Sequence, residues 1–271
     1  MNKRRIIAAL SGVLTLGLLL TGCGGSRANI IKISGSSSVG PLIEAEAEVF
    51  EEEMPEVTVE VNQLGSSAGI KDAINGTVEI GISSRDLKEK ELETGVSEKA
   101  IAYDGMAVII NKENSVKDLT MEQVKDIYTG KITNWKDVGG EDSEIVLVSR
   151  EDGSGTRDAF QEIVGFDSEQ LSPKAQISDG SGSIKTMVSG NKNAIGYISF
   201  SYVDDSVKAV NIDGVEPTAE KVKDKTYKLS RAFLLVYKEE NLNDNSRKFI
   251  DFIMDKKGQD IVEDEGLISV N

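Results

Sequence analysis

One local arrangement recurs along this chain and limits what it can fold into: a β-branched run, then Gly with small hydroxyl residues, then an amphipathic helix. Residues 30–34 read as a strand, Gly35-Ser36-Ser37-Ser38 follows, and the chain is helical from Val39 onward. Residues 57–61 read as a second strand, and Gly65-Ser66-Ser67-Ala68-Gly69 leads into a helix to about residue 74. Residues 78–82 read as a third strand, ending in Ser83-Ser84-Arg85. This βαβαβ succession predicts an α/β architecture with a parallel sheet. In the first helix Val39, Leu42, Ile43 and Phe50 share one face, while Glu44, Glu46, Glu48, Glu51 and Glu52 are assigned to the others.

Further along, residues 101–111 form a long apolar segment rich in β-branched side chains, expected as a strand crossing between two lobes. Thr120 with Gln123 resembles a capping box that opens a helix to about Tyr128. Residues 145–149 read as a strand, residues 150–157 as a polar Gly-rich turn, and a helix runs from there to about Val164. Residues 184–188 read as helix, 194–199 as strand, 231–237 as the return crossing, and 246–254 and 259–263 as closing helices. No internal repeat, low-complexity block or long linker intervenes. Glu51-Glu52-Glu53 reads as a solvated face, and Tyr128 and Trp135 as packing residues.

The N-terminus has the layout of a secretion signal. Lys3, Arg4 and Arg5 precede an apolar run over residues 6–20 that is short for a membrane span and ends in Leu20-Thr21-Gly22-Cys23. That ending resembles the bacterial lipobox, in which the Cys is diacylated and becomes the new N-terminus; the competing reading is an uncleaved anchor helix. Residues 1–22 are then a signal peptide, and residues 23–29 a lipidated Cys23 and its tether. Two acyl chains hold a protein to a bilayer where one does not. Cys23 is the single cysteine, so no intramolecular disulfide can form and stability must come from packing.

The formal net charge of −15 argues against nucleic acid and against an anionic membrane surface as partners. It leaves an anionic ligand open, because exposed charges are screened over about 8 Å and a buried anion feels the donors that touch it. The absence of histidine excludes Ser-His-Asp and Cys-His catalysis and His-ligated metals. No cofactor and no metal are expected.

The Gly/Ser turns at residues 35–38, 65–69 and 153–156 each set hydroxyls and free backbone N–H groups at the positive end of a helix, which is a ready anion site. In an open α/β sheet such turns lie at the carboxyl ends of the strands, where ligands bind. Any one turn reads equally well as a capped helix, since Ser is a favoured cap. Three of them with Arg150 nearby are harder to dismiss, because a guanidinium offers a fork of donors to an oxyanion. The P-loop spacing is absent, and Gly153-Ser154-Gly155 lacks the third Gly of a dinucleotide fingerprint. Ser189-Gly190-Asn191-Lys192 matches S-x-x-K without the other elements of an acyl-enzyme.

These residues carry a resemblance that spans essentially the whole chain after the signal. It rests on residues 33–41 (ISGSSSVGP), 65–69 (GSSAG) and 80–85 (IGISSR), on 194–197 (AIGY), and most specifically on 128–135 (YTGKITNW) and 150–156 (REDGSGT). The chain resembles the phosphate-binding proteins of ABC phosphate importers, the PstS family, in its shorter form. The resemblance implies a two-lobed type II periplasmic-binding-protein fold, each lobe a mostly parallel sheet flanked by helices, with two crossover strands as hinge. Residues 30–100 with 230–271 would form lobe 1 and residues 112–224 lobe 2, with 101–111 and 225–235 as crossings. It further implies capture of inorganic phosphate and delivery to the permease subunits of an ABC importer, with no enzymatic step. The bearer would be a monomer, lipid-anchored through Cys23, palmitate included, on the extracytoplasmic face of a single-membrane, Gram-positive type cell.

Carried over by position, Ser37, Ser38, Ser66, Arg150, Ser154, Gly155 and Thr156 are the expected ligand groups, with Asp152 orienting Arg150. One position departs from the longer form of the family, where an Asp after the third strand accepts a proton from phosphate. Here Ser84 stands there as a further expected ligand group, followed by Arg85, and a hydroxyl does not exclude a fully deprotonated anion. Sulfate, molybdate or tungstate are therefore alternative ligands. A phosphoester hydrolase would need a carboxylate metal cage, and no D-x-D cluster stands beside the turns. An adhesin or sensor reusing the fold is a further alternative. Arg85 and Asp104 are additional candidates. Tyr103-Asp104-Gly105 interrupts an apolar crossing strand. Asp104 either faces the anion and takes over the proton-accepting role, or pairs with a basic residue such as Arg85 or caps a turn.

Overall fold

The computed structural model describes residues 29–271, so the signal-peptide expectation and Cys23 lie outside the described residues. The first part of the chain runs β1 (Ile30–Gly35), α1 (Gly40–Glu53), β2 (Thr58–Gln63), α2 (Ser66–Asn75), β3 (Ile80–Ser83), α3 (Glu89–Leu92) and β4 (Ser97–Asn111). A second part follows with β5 (Asp118–Leu119), α4 (Met121–Tyr128), β6 (Val146–Arg150), α5 (Gly155–Val164), β7 (Gln176–Ser178), α6 (Gly180–Ser189) and β8 (Ala194–Ser199). The chain ends with β9 (Val207–Ala209), β10 (Asn211–Ile212), α7 (Ala219–Lys223), β11 (Ser230–Tyr237), α8 (Asp244–Met254), α9 (Lys256–Asp264) and β12 (Ile268–Ser269).

The strands join in the order β2-β1-β3-β11-β4-β8-β6-β7, with β9 and β12 also on β4 and a separate β5–β10 pair. β1 is parallel to β2 and β3, and β6 is parallel to β7 and β8, as the βαβ succession demands. The antiparallel pairings sit at the centre. β4 is 15 residues long, and its two halves face different neighbours. Residues 97–105 pair with β11 and residues 106–110 with β8.

Burial follows the same division. One apolar cluster gathers Ile31, Ile33, Leu42, Phe50, Ile82, Phe233 and Phe249, and takes Ile101 and Ala102 from β4. Another gathers Ile127, Tyr128, Phe160, Tyr197 and Tyr227, and takes Met106, Val108 and Ile110 from β4. Gly105 lies at the junction because a Cβ there would sit 2.2 Å from the Phe200 ring. The capping box holds: Thr120 Oγ1 accepts from Gln123 N, and Thr120 N donates to Gln123 Oε1. Tyr128 and Trp135 are core residues, 0% and 1% exposed.

Two sequence expectations need correction here. The crossing strand starts at Ser97 rather than residue 101, because β11 offers pairing partners that early in the chain. Glu46 is not on a solvated face. It falls four residues after Leu42 and three after Ile43, which puts it on the apolar stripe, and it is buried with them. No helix among the described residues is long and apolar enough to cross a membrane.

Candidate functional site

The site is built where five strands end and four helices begin. β1 leads through Ser36-Ser37-Ser38 towards α1, and α2 starts at Ser66. β6 ends at Arg150 with α5 starting at Gly155, and β7 ends at Ser178 with α6 starting at Gly180. Such helix starts carry unpaired amides and partial positive charge.

Arg150 is set by what lies behind it. Tyr197 stacks on Phe160 with ring centroids 3.9 Å apart. The Tyr197 hydroxyl bonds Ser149 Oγ at 2.9 Å and accepts from the Arg150 backbone N–H at 3.3 Å. The guanidinium is 1% exposed. Its Nε and Nη2 donate to the two oxygens of Glu151, both at 2.7 Å. Nη2 also reaches Ser37 Oγ at 2.9 Å, and Nη1 reaches Ser181 Oγ at 3.5 Å.

Beside it the hydroxyls converge. Ser38 Oγ lies 2.8 Å from Thr156 Oγ1 and 3.4 Å from Ser181 Oγ. Ser36 Oγ donates to Ser84 Oγ at 2.9 Å, and Ser66 Oγ lies 3.3 Å from Ser84 Oγ and accepts from Ser84 N at 3.1 Å. None of Ser36, Ser38, Ser66, Ser84, Thr156 and Ser181 is more than 3% exposed. Ser154 caps α5 by accepting from Arg157 N at 3.3 Å. Gly155 is glycine for lack of room, since a Cβ would lie 2.1 Å from Ser66 Oγ and 2.7 Å from Ser84 Oγ.

The groups that meet here come from both cores. Ser38 with Thr156, Ser37 with Arg150 and the Ser66 side of Gly155 are all contacts between chain regions more than eighty residues apart. Tyr202 Oη donates to the Ser37 carbonyl at 3.0 Å, and Ser67 N donates to the Gly153 carbonyl at 3.2 Å.

Six expected residues, Ser37, Ser38, Ser66, Ser84, Arg150 and Thr156, touch within this cluster, and Ser154 and Gly155 form the helix start beside it. Asp152 does not orient Arg150: it is exposed, and Glu151 takes the guanidinium because its longer side chain forks onto Nε and Nη2. Arg85 is turned to carboxylates instead, with Glu91 Oε2 and Oε1 2.8 Å from Nη1 and Nη2 and Asp158 Oδ2 3.0 Å from Nε. Asp104 does not bond the hydroxyl cluster. It is 0% exposed and accepts from Arg231 Nη2 at 2.9 Å, Arg231 Nε at 3.1 Å, Ser199 Oγ at 2.7 Å and Phe200 N at 3.2 Å. Its basic partner is therefore Arg231, its register partner on β11, and not Arg85.

Sequence reasoning missed Ser36, Glu151 and Ser181. Ser181 had a signal, because residues 176–183 (QISDGSGS) repeat the strand, Gly/Ser, helix pattern a fourth time. Glu151 lay inside the motif already marked and was passed over for Asp152. Chemically, the arrangement supplies hydroxyls, helix-start amides and one guanidinium whose carboxylate is already engaged. It suits a small, desolvated oxyanion. Among the described residues no group of three or more His, Cys, Asp or Glu is placed to hold a metal ion.

Comparison with known proteins identifies the relatives of this chain. Residues 24–257 match the family described as the PBP superfamily domain. The chain is 38% identical over 248 residues to the phosphate-binding protein PstS of Bacillus subtilis, covering 89% of this chain and 80% of that one. It is 30% identical over 251 residues to PstS of Borreliella burgdorferi, covering 89% and 90%. Among solved structures it is similar to one described as a phosphate ABC transporter substrate-binding protein with bound phosphate from Clostridium perfringens. That match has 65% identity and a TM-score of 0.89, over 90% of this chain and all (100%) of the other. It is also similar to an ABC-type phosphate transport receptor from Vibrio cholerae, with 37% identity and a TM-score of 0.76, over 88% and 99%.

Proposed function

Because the chain belongs to the PstS family of phosphate-binding proteins within the PBP superfamily, we propose that it captures inorganic phosphate outside the cytoplasm and delivers it to the permease subunits of an ABC importer. The observation that carries this reading is the buried group of hydroxyls drawn from five strand ends beside the Arg150 guanidinium. Ser37, Ser38, Ser66, Ser84, Ser154, Gly155 and Thr156 would take the anion together with Arg150, and Ser36 and Ser181 join them. Asp152 and Asp104 do not belong to this group. The protein catalyses no step in this reading; its named relatives are binding proteins of transporters.

The two lobes would be residues 30–100 with 230–271, and residues 112–224, joined by 101–111 and 225–235. The separate apolar cores that meet on β4 support that division. Ligand groups from both lobes imply closure on binding.

Titration with phosphate, sulfate, molybdate and tungstate, beside a phosphatase assay, tests the function. Arg150→Ala is expected to weaken phosphate binding at least about tenfold, since a charge-assisted hydrogen bond contributes roughly 1.5–3 kcal/mol. It also strands Glu151 as an unpaired carboxylate beside the anion. An unchanged isotherm would place the site elsewhere. Sulfate is the competing ligand, favoured by one observation: Ser84, a hydroxyl, stands where the longer form has its carboxylate. Parity of sulfate with phosphate would establish it.

The protein would work as a monomer on a lipid anchor at Cys23, at the surface of a single-membrane cell. Cys23→Ser should abolish incorporation of labelled fatty acid and leave the protein uncleaved or shed into the medium. Persistent labelling would rule the anchor out.

A further inference from the structure

Arg85 follows directly on Ser84 and Asp158 comes two residues after Thr156, so each is chained to a hydroxyl of the cluster without bonding to it. Arg85 leaves the end of β3, and its side chain is 3% exposed. Nη1 and Nη2 are forked onto Glu91, Nη1 also donates to the Asp86 carbonyl at 2.8 Å, and Nη2 to Ser67 Oγ at 3.3 Å. All of those partners belong to the same part of the chain. Nε alone faces the other body. It lies 3.0 Å from Asp158 Oδ2 in the first turn of α5, with its N–H not aligned on the oxygen, so this contact is an ion pair more than a hydrogen bond. Lys88 Nζ is 3.8 Å from the same oxygen. Leu87, between these two cations, packs in the cluster with Ile70, Val96 and Val236, whereas Ala159 and Phe160, next to Asp158, pack with Tyr128 and Tyr197.

Burial pulls the Arg85 guanidinium down, but Glu91 and Asp158 outweigh it and hold the group above its ordinary value. Arg85 is therefore a fixed cation. Glu91 keeps it paired whether or not Asp158 is in reach, and Asp158, 24% exposed, can return to water. The Asp158 contact can thus form and break without orphaning a buried charge.

We propose that Arg85 and Asp158 form a latch between the lobes that exists only in the closed protein and raises anion affinity without touching the anion. The proposal rests on the phosphate-binding reading above. A contact made in one state alone shifts the equilibrium toward that state, and a ligand that needs that state binds tighter by the same factor. The competing role for Asp158 is local: a carboxylate in a first helical turn favours its helix. A purely local role would lower thermal stability and leave release unchanged.

The test compares wild type, Asp158→Asn and Asp158→Glu as full mature chains. Inorganic phosphate release is followed by stopped flow, and solution scattering is recorded with and without phosphate. Asp158→Asn should release phosphate about fivefold faster, the scale of a partly exposed ion pair, with an unchanged association rate and unchanged preference between phosphate and sulfate. At subsaturating phosphate its scattering should keep a larger open fraction than wild type, and Asp158→Glu should restore both. A lowered melting temperature with wild-type release and scattering would overturn the latch. If wild type itself fails to bind phosphate, the functional reading falls instead. Sulfate then replaces phosphate in the same release and scattering measurements, and wild-type behaviour of Asp158→Asn there overturns the latch.

Discussion

Asp104→Asn is expected to lower the free energy of unfolding by about 3–5 kcal/mol, the range for breaking one partner out of a buried ion pair. Asp104 is 0% exposed, and the Arg231 side chain is 3% exposed. Burial pushes the Asp104 carboxyl up, while the Arg231 guanidinium, the Ser199 hydroxyl and the Phe200 amide oppose it. The forked Arg231 contact favours the ionised pair near neutral pH. An asparagine keeps the shape and one acceptor but leaves the Arg231 cation uncompensated. For a chain of this size the loss amounts to a fall in melting temperature of about ten degrees. Much of the effect should be the stranded charge. The double replacement of Asp104 by Leu and Arg231 by Met should therefore recover most of the stability, since well-packed apolar residues often substitute for a buried pair. Urea unfolding of the three proteins is the measurement. An Asp104→Asn midpoint equal to wild type would mean the pair contributes nothing.

The second large effect has the opposite sign. Glu46 is 0% exposed, and neither carboxylate oxygen has a hydrogen-bond partner. Burial, with Asp255 adding to it, pushes the carboxyl up to about 9. The folded protein thus holds a proton that the unfolded chain releases above about pH 4.3. Stability from this group is complete below that value and is lost as pH climbs towards about 9. At pH 7 the penalty is on the order of 4 kcal/mol, at about 1.4 kcal/mol per unit. Glu46→Met fills similar space among Leu42, Ile43 and Phe50 without a titrating group. It should be the more stable protein at pH 7 and above, by an amount that grows with pH and narrows towards pH 5. Unfolding curves at pH 5, 7 and 8.5 would show this, and a gap independent of pH would refute it.

Most of the fold was legible because its signals are local. β-branched runs, Gly/Ser turns and the Thr120 capping box place strands and helices without knowledge of the rest of the chain, and residues 194–199 coincide with β8. The short strands β5, β9, β10 and β12 were not legible. Two or three residues carry no periodicity, and they become strands only because a neighbour offers an edge, as β4 does for β9 and β12. The site divides the same way. The Gly/Ser turns announce themselves by composition. Which acid meets which base does not, because it depends on side-chain reach and cross-strand register. Glu151 and Asp152 both follow Arg150 closely, and only the reach of the longer one completes the fork. Asp104 has Arg231 for a partner through a strand pairing 127 positions away. Glu46 needed only the helical count from Leu42, but its charge argued against a buried face.

β4 belongs to both halves of the molecule without interruption, and β11 runs beside it at the changeover, with Met106 N donating to the Leu229 carbonyl at 2.8 Å. The halves are bound like pages on one spine and cannot slide past each other without tearing that ladder. Torsion about the spine near Gly105 is the movement that would leave that ladder intact. Each sheet then swings as a plate, and the stroke at the open edge grows with distance from the axis. A few degrees of twist at the spine translate into side-chain separations at the far edge. The gap between Ser66 and Gly155, already too tight for a methyl group, would then act as a hard stop on how far the plates could turn.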